Sequence, residues 1–136
     1  MKPSPSRPSP PSAATLGVIR LAILLGVLAF GAVVWYLQRR PEWSPAPGLD
    51  RDTIFYVGIA VWGISAAGLV LLRARWLRET DPRRRTLLMV AAWAVGEVPA
   101  FWGGVYFLLT GDPQRYFTGL MFLVVAFLLL PVRPRS

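Results

Sequence analysis

The chain contains no cysteine and no histidine, and its only lysine is Lys2, near the N-terminus. Without cysteine there is no disulfide, thiolate metal site, catalytic thiol or lipidated cysteine of the lipoprotein kind. Without histidine there is no imidazole to ligate haem, copper or zinc, and no serine–histidine nucleophile pair. A lysine confined to a tail cannot serve as a buried Schiff base. Acidic residues are also scarce, seven against fifteen basic ones, with no paired catalytic carboxylates and no glycine-rich phosphate loop. Much of metalloenzyme and hydrolase chemistry is removed by these counts, and no cofactor is implied.

What is abundant is apolar surface. Of 136 residues, 54% are hydrophobic and 16% charged, against about a quarter charged in a soluble domain. Mean hydropathy is +0.48. The charges are bunched between long uncharged runs, the segmental pattern of a polytopic membrane protein. Fourteen of the fifteen basic residues are arginine, a bias that suits a GC-rich bacterial genome. Because these arginines flank apolar runs and form no separate basic domain, we read the net charge of +8 as topology signal and lipid contact, not nucleic-acid binding.

Residues 1–14, "MKPSPSRPSPPSAA", hold five prolines and four serines and read as a disordered tail. The apolar run that follows is too long for a signal-peptide core and is expected to be retained as a first membrane helix. The spans read as Leu16–Leu37, Thr53–Leu72, Leu87–Thr110 and Tyr116–Leu130. Asp81-Pro82 and Asp112-Pro113 are start signals, an N-cap side chain followed by a proline whose missing N–H costs nothing in the first turn. Asp50 is expected to cap the second helix, and Gly111 to end the third. The expected helices are therefore about 16–38, 53–73, 83–110 and 113–130, in a transmembrane domain of residues 15–131 followed by a basic tail, 132–136.

Arginine counts set the topology. Lys2 and Arg7, the six arginines of "RARWLRETDPRRR" and Arg133 and Arg135 make ten on one side; Arg39, Arg40, Arg51 and Arg115 make four on the other. The expected fold is all-α, four transmembrane helices in antiparallel hairpins, with both termini cytoplasmic in a bacterial inner membrane. Trp35, Tyr36, Trp43, Tyr56, Tyr106 and Tyr116 then form an outer aromatic belt, with Trp76 on the inner side. Residues 15–37 and 86–108 share letters without gaps (Thr15/Thr86, Ala29/Ala100, Phe30/Phe101), which we read as chance, with duplication of a helical hairpin as the alternative.

The chemistry concentrates in "AVGEVPAFWGG", Ala94–Gly104. Glu97 falls near mid-bilayer, where an ionised carboxylate facing lipid would cost at least ~2.5 kcal/mol. It is therefore expected to face another helix and to be protonated. Pro99 leaves the carbonyl of Val95 without its usual donor and is expected to kink the helix, offering the carboxyl a partner. Gly96, Ala100 and Gly104 form a small-residue stripe for close packing, with Gly63 and Ala67, or Ala22 and Gly26, as counterparts. With no second acid, Asn, Gln or His near it, Glu97 makes a poor proton relay. Arg20, the other charge within a span, is expected to snorkel to the headgroups, with pairing to Glu97 across about 10 Å as the alternative. Arg73, Arg75, Arg78, Arg83, Arg84 and Arg85 form an expected cytoplasmic loop contacting anionic headgroups, or less readily a partner protein.

The run Ala94–Phe127, "AVGEVPAFWGGVYFLLTGDPQRYFTGLMFLVVAF", resembles a group of small uncharacterised bacterial membrane proteins. In these an acidic residue in a late helix precedes a small residue or proline, a glycine-containing run and a short polar turn. The acid-then-glycine helix is also distantly similar to the carboxylate helix of the ATP synthase rotor-ring proteolipid, which would imply proton binding at Glu97. The first helix here lacks that family's alternating glycines and its first loop is expected outside, so the rotor function is not carried over. The expectation is a non-catalytic accessory or scaffold subunit of a larger membrane complex, or a homo-oligomer. The alternative is a proton- or cation-coupled transport element using Glu97.

Overall fold

The computed structural model describes residues 11–45, 47–48 and 50–132. The tail residues 1–10, with Lys2 and Arg7, and the C-terminal Arg133 and Arg135 lie outside the described residues. Four helices follow one another: α1 (Ala13–Gln38), α2 (Arg51–Arg78), α3 (Pro82–Thr110) and α4 (Gln114–Leu129). Among the described residues there is no strand. The first three are long and apolar enough to cross a membrane; α4 is apolar but has 16 residues, about 24 Å at the helical rise.

The helix starts are written in short polar signals. Ser12 caps α1, its hydroxyl accepting from the Thr15 N–H at 3.1 Å. Asp50, Asp81 and Asp112 repeat one device: each carboxylate accepts the backbone N–H two residues on, from Asp52, Arg83 and Gln114 at 3.1, 2.9 and 2.9 Å. This satisfies a donor that the first helical turn leaves free. Pro82 then occupies the first turn of α3, as its sequence signal implies. At α4 the helix begins one residue later than expected, with Pro113 itself at the cap position. Gly111 closes α3 with φ of 82°, a left-handed conformation that glycine adopts without strain, and its N–H donates to the Phe107 carbonyl at 2.9 Å.

One boundary differs in a way that matters. α2 was expected to end near residue 73 but continues to Arg78, so Arg73, Arg75 and Arg78 lie on a helix and not in a loop. The connection to α3 is only Glu79, Thr80 and Asp81. Arginine is a good helix former, and no breaker precedes the Asp-Pro pair.

α3 is the centre of the molecule and packs against all three other helices. Its register with α4 is antiparallel, Gly96 opposite Ala126 and Ala100 opposite Gly119, and with α2 also antiparallel, Val95 at Gly68 and Trp102 at Gly58. With α1 it is parallel: Phe30 meets Phe101 at 5.2 Å between ring centroids, and Trp35 meets Phe107 at 5.8 Å. α1 and α2 form no packed interface with each other, so the expected first hairpin is open. They flank the tight α3–α4 hairpin, and their connection runs across its tip, where a Cβ on Gly111 would lie 3.2 Å from the Trp43 ring. The two halves are thus packed differently.

Candidate functional site

The stripe Gly96, Ala100, Gly104 is a close-packing seam, but its partners differ from those expected. Gly96 and Ala100 meet α4: a Cβ on Gly96 would lie 2.6 Å from that of Ala126, and Gly119 lies directly on the backbone of Pro99 and Ala100. Gly103, one residue off the stripe, lies against the backbone of Arg115 and Tyr116. Gly104 meets α1, at the ring of Phe30. Neither expected counterpart takes part. Gly63 and Ala67 are exposed on α2 and a Cβ on Gly63 would touch nothing within 4 Å; Gly26 on α1 is equally open, and Ala22 is exposed. The α2 surface that meets α3 carries Gly58, Ser65, Gly68 and Leu69 instead. Residues 63 and 67 lie on the far side of α2, because a step of five from Gly58 turns the helix through about 140°.

Glu97 lies midway along α3 and is half-buried. It shares a helix side with Phe101 and Gly104, four and seven residues on, which is the side α1 covers. Among the described residues it has no hydrogen-bond or ion-pair partner. In particular it makes no bond to the Val95 carbonyl that Pro99 leaves free. α3 is an unbroken helix through Pro99, whose ring is fully buried.

Arg20 is placed close by. It lies on the α1 seam that faces the bundle, in step with Leu16, Val27 and Val34. The α1–α3 register sets it level with Ala91–Ala94, between about 5 and 9 Å below Glu97 along the helix axis, a smaller gap than the sequence suggests. The guanidinium does not pair with Glu97; it stacks on the Phe127 ring at 4.6 Å. Phe127 in turn meets Trp93 edge-on at 5.7 Å, and the Trp93 indole N–H donates to the Leu130 carbonyl at 3.2 Å. That bond satisfies one of the carbonyls left free where α4 ends.

Three inter-helix polar contacts escaped the sequence reading. The Tyr116 hydroxyl donates to the Val27 carbonyl at 2.8 Å, with the ring filling the space a side chain on Gly31 would need. Gln38 donates to the Phe107 carbonyl, and Trp93 to Leu130 as above. Tyr116 was expected in the aromatic belt, yet it is buried and points into the bundle; Trp76 is buried likewise, beneath the Arg85 guanidinium at 4.3 Å. Trp35 and Tyr36 are exposed at the C-terminal end of α1. A glycine inside a helix at the level of a tyrosine was the available signal for the Tyr116 contact.

The arginine-rich corner is a built feature. The last turns of α2 and the first of α3 enclose an open pocket of about 460 Å³ lined by Arg75, Arg78, Glu79, Arg84, Leu87 and Leu88. Arg84 lies 4.0 Å from Asp81 with both side chains largely exposed, a geometry worth little in stability. Arg73 and Arg83 lie outside the pocket, and Arg85 is engaged by Trp76. Among the described residues no three carboxylates gather as a metal site would require.

Comparison with known proteins returns nothing to transfer: the chain matches no protein-family model, no curated protein and no solved structure.

Proposed function

We propose that the chain is a small non-catalytic integral membrane protein of a bacterial inner membrane. In this reading α4 completes a fourth span, both termini and the α2–α3 corner face the cytoplasm, and the protein acts as an accessory or scaffold subunit. It assembles with other membrane subunits or with copies of itself. The observation that carries this reading is the unpartnered Glu97. A half-buried carboxyl at mid-span finds no donor within the described residues, and a polar group in hydrocarbon needs one. A neighbouring chain against the α1–α3 side would supply it.

A second reading is favoured by one observation, the position of Arg20 on the bundle-facing side of α1, one to two turns below the level of Glu97. A carboxyl near a cation and a proline-freed carbonyl is the kind of group that binds and releases a proton or small cation. The two readings separate on two substitutions. Glu97→Gln keeps a hydrogen-bonding group and Glu97→Leu does not. For a scaffold, the Gln variant assembles and co-purifies with its neighbours as the parent does, the Leu variant does not, and proton flux in liposomes is the same for all three. A Gln variant that assembles normally but abolishes a proton flux present in the parent overturns the scaffold reading. The orientation has its own test: a reporter fused after Ser136 that is active only in the periplasm reverses it.

A further inference from the structure

The corner between α2 and α3 brings cationic and apolar side chains into one pocket. Arg75 and Arg78 stand three residues apart on the last turns of α2, and Glu79 follows at its C-cap. Arg84, Leu87 and Leu88 stand at i, i+3 and i+4 on the first turns of α3. Residues so spaced share one helix side, and the short connection folds the two sides into a common pocket of about 460 Å³. The pocket is cationic. Its one carboxylate, Glu79, already accepts the backbone N–H groups of Thr80 and Asp81 at 3.1 and 3.0 Å. Its base is apolar: Leu87 is 63% exposed there, and Leu88 packs against the core behind it. The arginines lie at the ends of two membrane-length helices, and the leucines lie further in along α3.

A free anion would be served by the arginines alone and would leave Leu87 in water. An amphiphile with an anionic head and an acyl chain satisfies both halves. We infer that this corner is a discrete site for one anionic phospholipid, its phosphate held by Arg75, Arg78 and Arg84 and an acyl chain lying along Leu87 and Leu88. The inference rests on the membrane-protein reading and sharpens its general expectation of headgroup contact. Three of the six corner arginines form the site, whereas Arg73 and Arg83 only add to the surrounding positive field and Arg85 covers Trp76. Guanidinium is suited to the role because its planar fork meets a phosphate with two parallel hydrogen bonds.

The test uses the full chain reconstituted in nanodiscs of phosphatidylcholine and phosphatidylglycerol, with retained lipid counted by native mass spectrometry. The parent is expected to keep one phosphatidylglycerol in preference to phosphatidylcholine. Each pocket arginine near the surface contributes about fivefold to such binding, so Arg75→Gln with Arg78→Gln and Arg84→Gln should lower it about a hundredfold. Arg73→Gln with Arg83→Gln should retain the single bound lipid. If the two variants lose lipid simply in proportion to charge removed, the attraction is diffuse and the discrete site is overturned. Equal retention of phosphatidylcholine overturns it as well, as does displacement of the lipid by inorganic phosphate. Arg78→Gln alone, on an exposed side chain, gives the fivefold step if the triple variant fails to fold. A chain that never enters the nanodiscs fails the membrane reading itself, an outcome distinct from loss of the lipid.

Discussion

At Gly103 and Gly119 the α3 and α4 backbones come into direct contact. A Cβ on Gly103 would lie 2.5 Å from the Arg115 carbonyl oxygen, and one on Gly119 2.5 Å from the Ala100 Cα. Backbone cannot swing aside as a side chain can, so Gly103→Ala or Gly119→Ala must push the helices apart, at a cost of about 1–3 kcal/mol. Gly26→Ala meets nothing and relieves glycine's helical penalty, a gain of about 0.5–1 kcal/mol. Thermal unfolding in detergent should therefore order the variants Gly26→Ala, parent, Gly103→Ala, and the reverse order would refute the α3–α4 register. Asp50 carries a second prediction at this scale. The Thr53 hydroxyl and then the Asp52 N–H hold its carboxyl below its ordinary value of 3.8. A depressed folded-state value means that the cap contributes above the unfolded value and is lost as pH falls through the folded one. Protection of the Asp52 amide, measured against its intrinsic exchange rate, should fall below about pH 4, and Asp50→Asn should abolish that pH dependence.

At the scale of the element, the starts of α2, α3 and α4 were legible to within two residues, whereas α1 begins at Ala13, three residues earlier than expected. The helix faces were not legible. Asp50, Asp81-Pro82, Asp112-Pro113 and Gly111 act through local backbone chemistry, which reads the same in any surroundings. Faces are read from a contrast between an apolar and a polar side, and a helix bathed in lipid has no such contrast. Gly63 with Ala67 and Gly96 with Ala100 are therefore equivalent on paper, yet only the second pair is buried. The same loss of contrast hid Tyr116 and Trp76, which looked like interfacial aromatics because their sequence positions are interfacial. α4 shows what replaces the missing signal. Its ends are tied by side-chain bonds between helices, its own Tyr116 reaching α1 at one end and Trp93 of α3 reaching Leu130 at the other. Tyr116→Phe keeps the ring against Gly31 and removes only the hydrogen bond, and inter-helix bonds of this kind average about 0.6 kcal/mol in membranes. Trp93→Leu removes a fully buried ring together with its bond and should cost several times more, about 3 kcal/mol. Comparable losses for the two would mean that α4 is held by its polar ties more than by packing.

At the scale of the whole molecule, the departure from a simple bundle of two hairpins lies in what α3 does. It separates α1 from α2, and the loop joining those two crosses the α3–α4 tip where Trp43 lies on Gly111. Sequential neighbours are usually spatial neighbours, so the α1–α2 hairpin was the natural expectation. What overrides it is the supply of small residues: α3 has Gly96, Ala100, Gly103 and Gly104 to admit α4 and α1, and α2 meets α3 through its own glycines at 58 and 68. The absence of cysteine makes this arrangement directly testable, since any introduced pair reports alone. A Cβ on Gly68 would lie 3.4 Å from a Val95 methyl, so the two positions face each other in van der Waals contact across the α2–α3 interface. Gly68→Cys with Val95→Cys should therefore cross-link rapidly within one chain under mild oxidation. Leu28→Cys with Ile64→Cys, on outward surfaces of α1 and α2, should not. A closed α1–α2 hairpin would reverse that pattern. The cross-link result thus decides whether α1 and α2 pack directly or are held apart by α3.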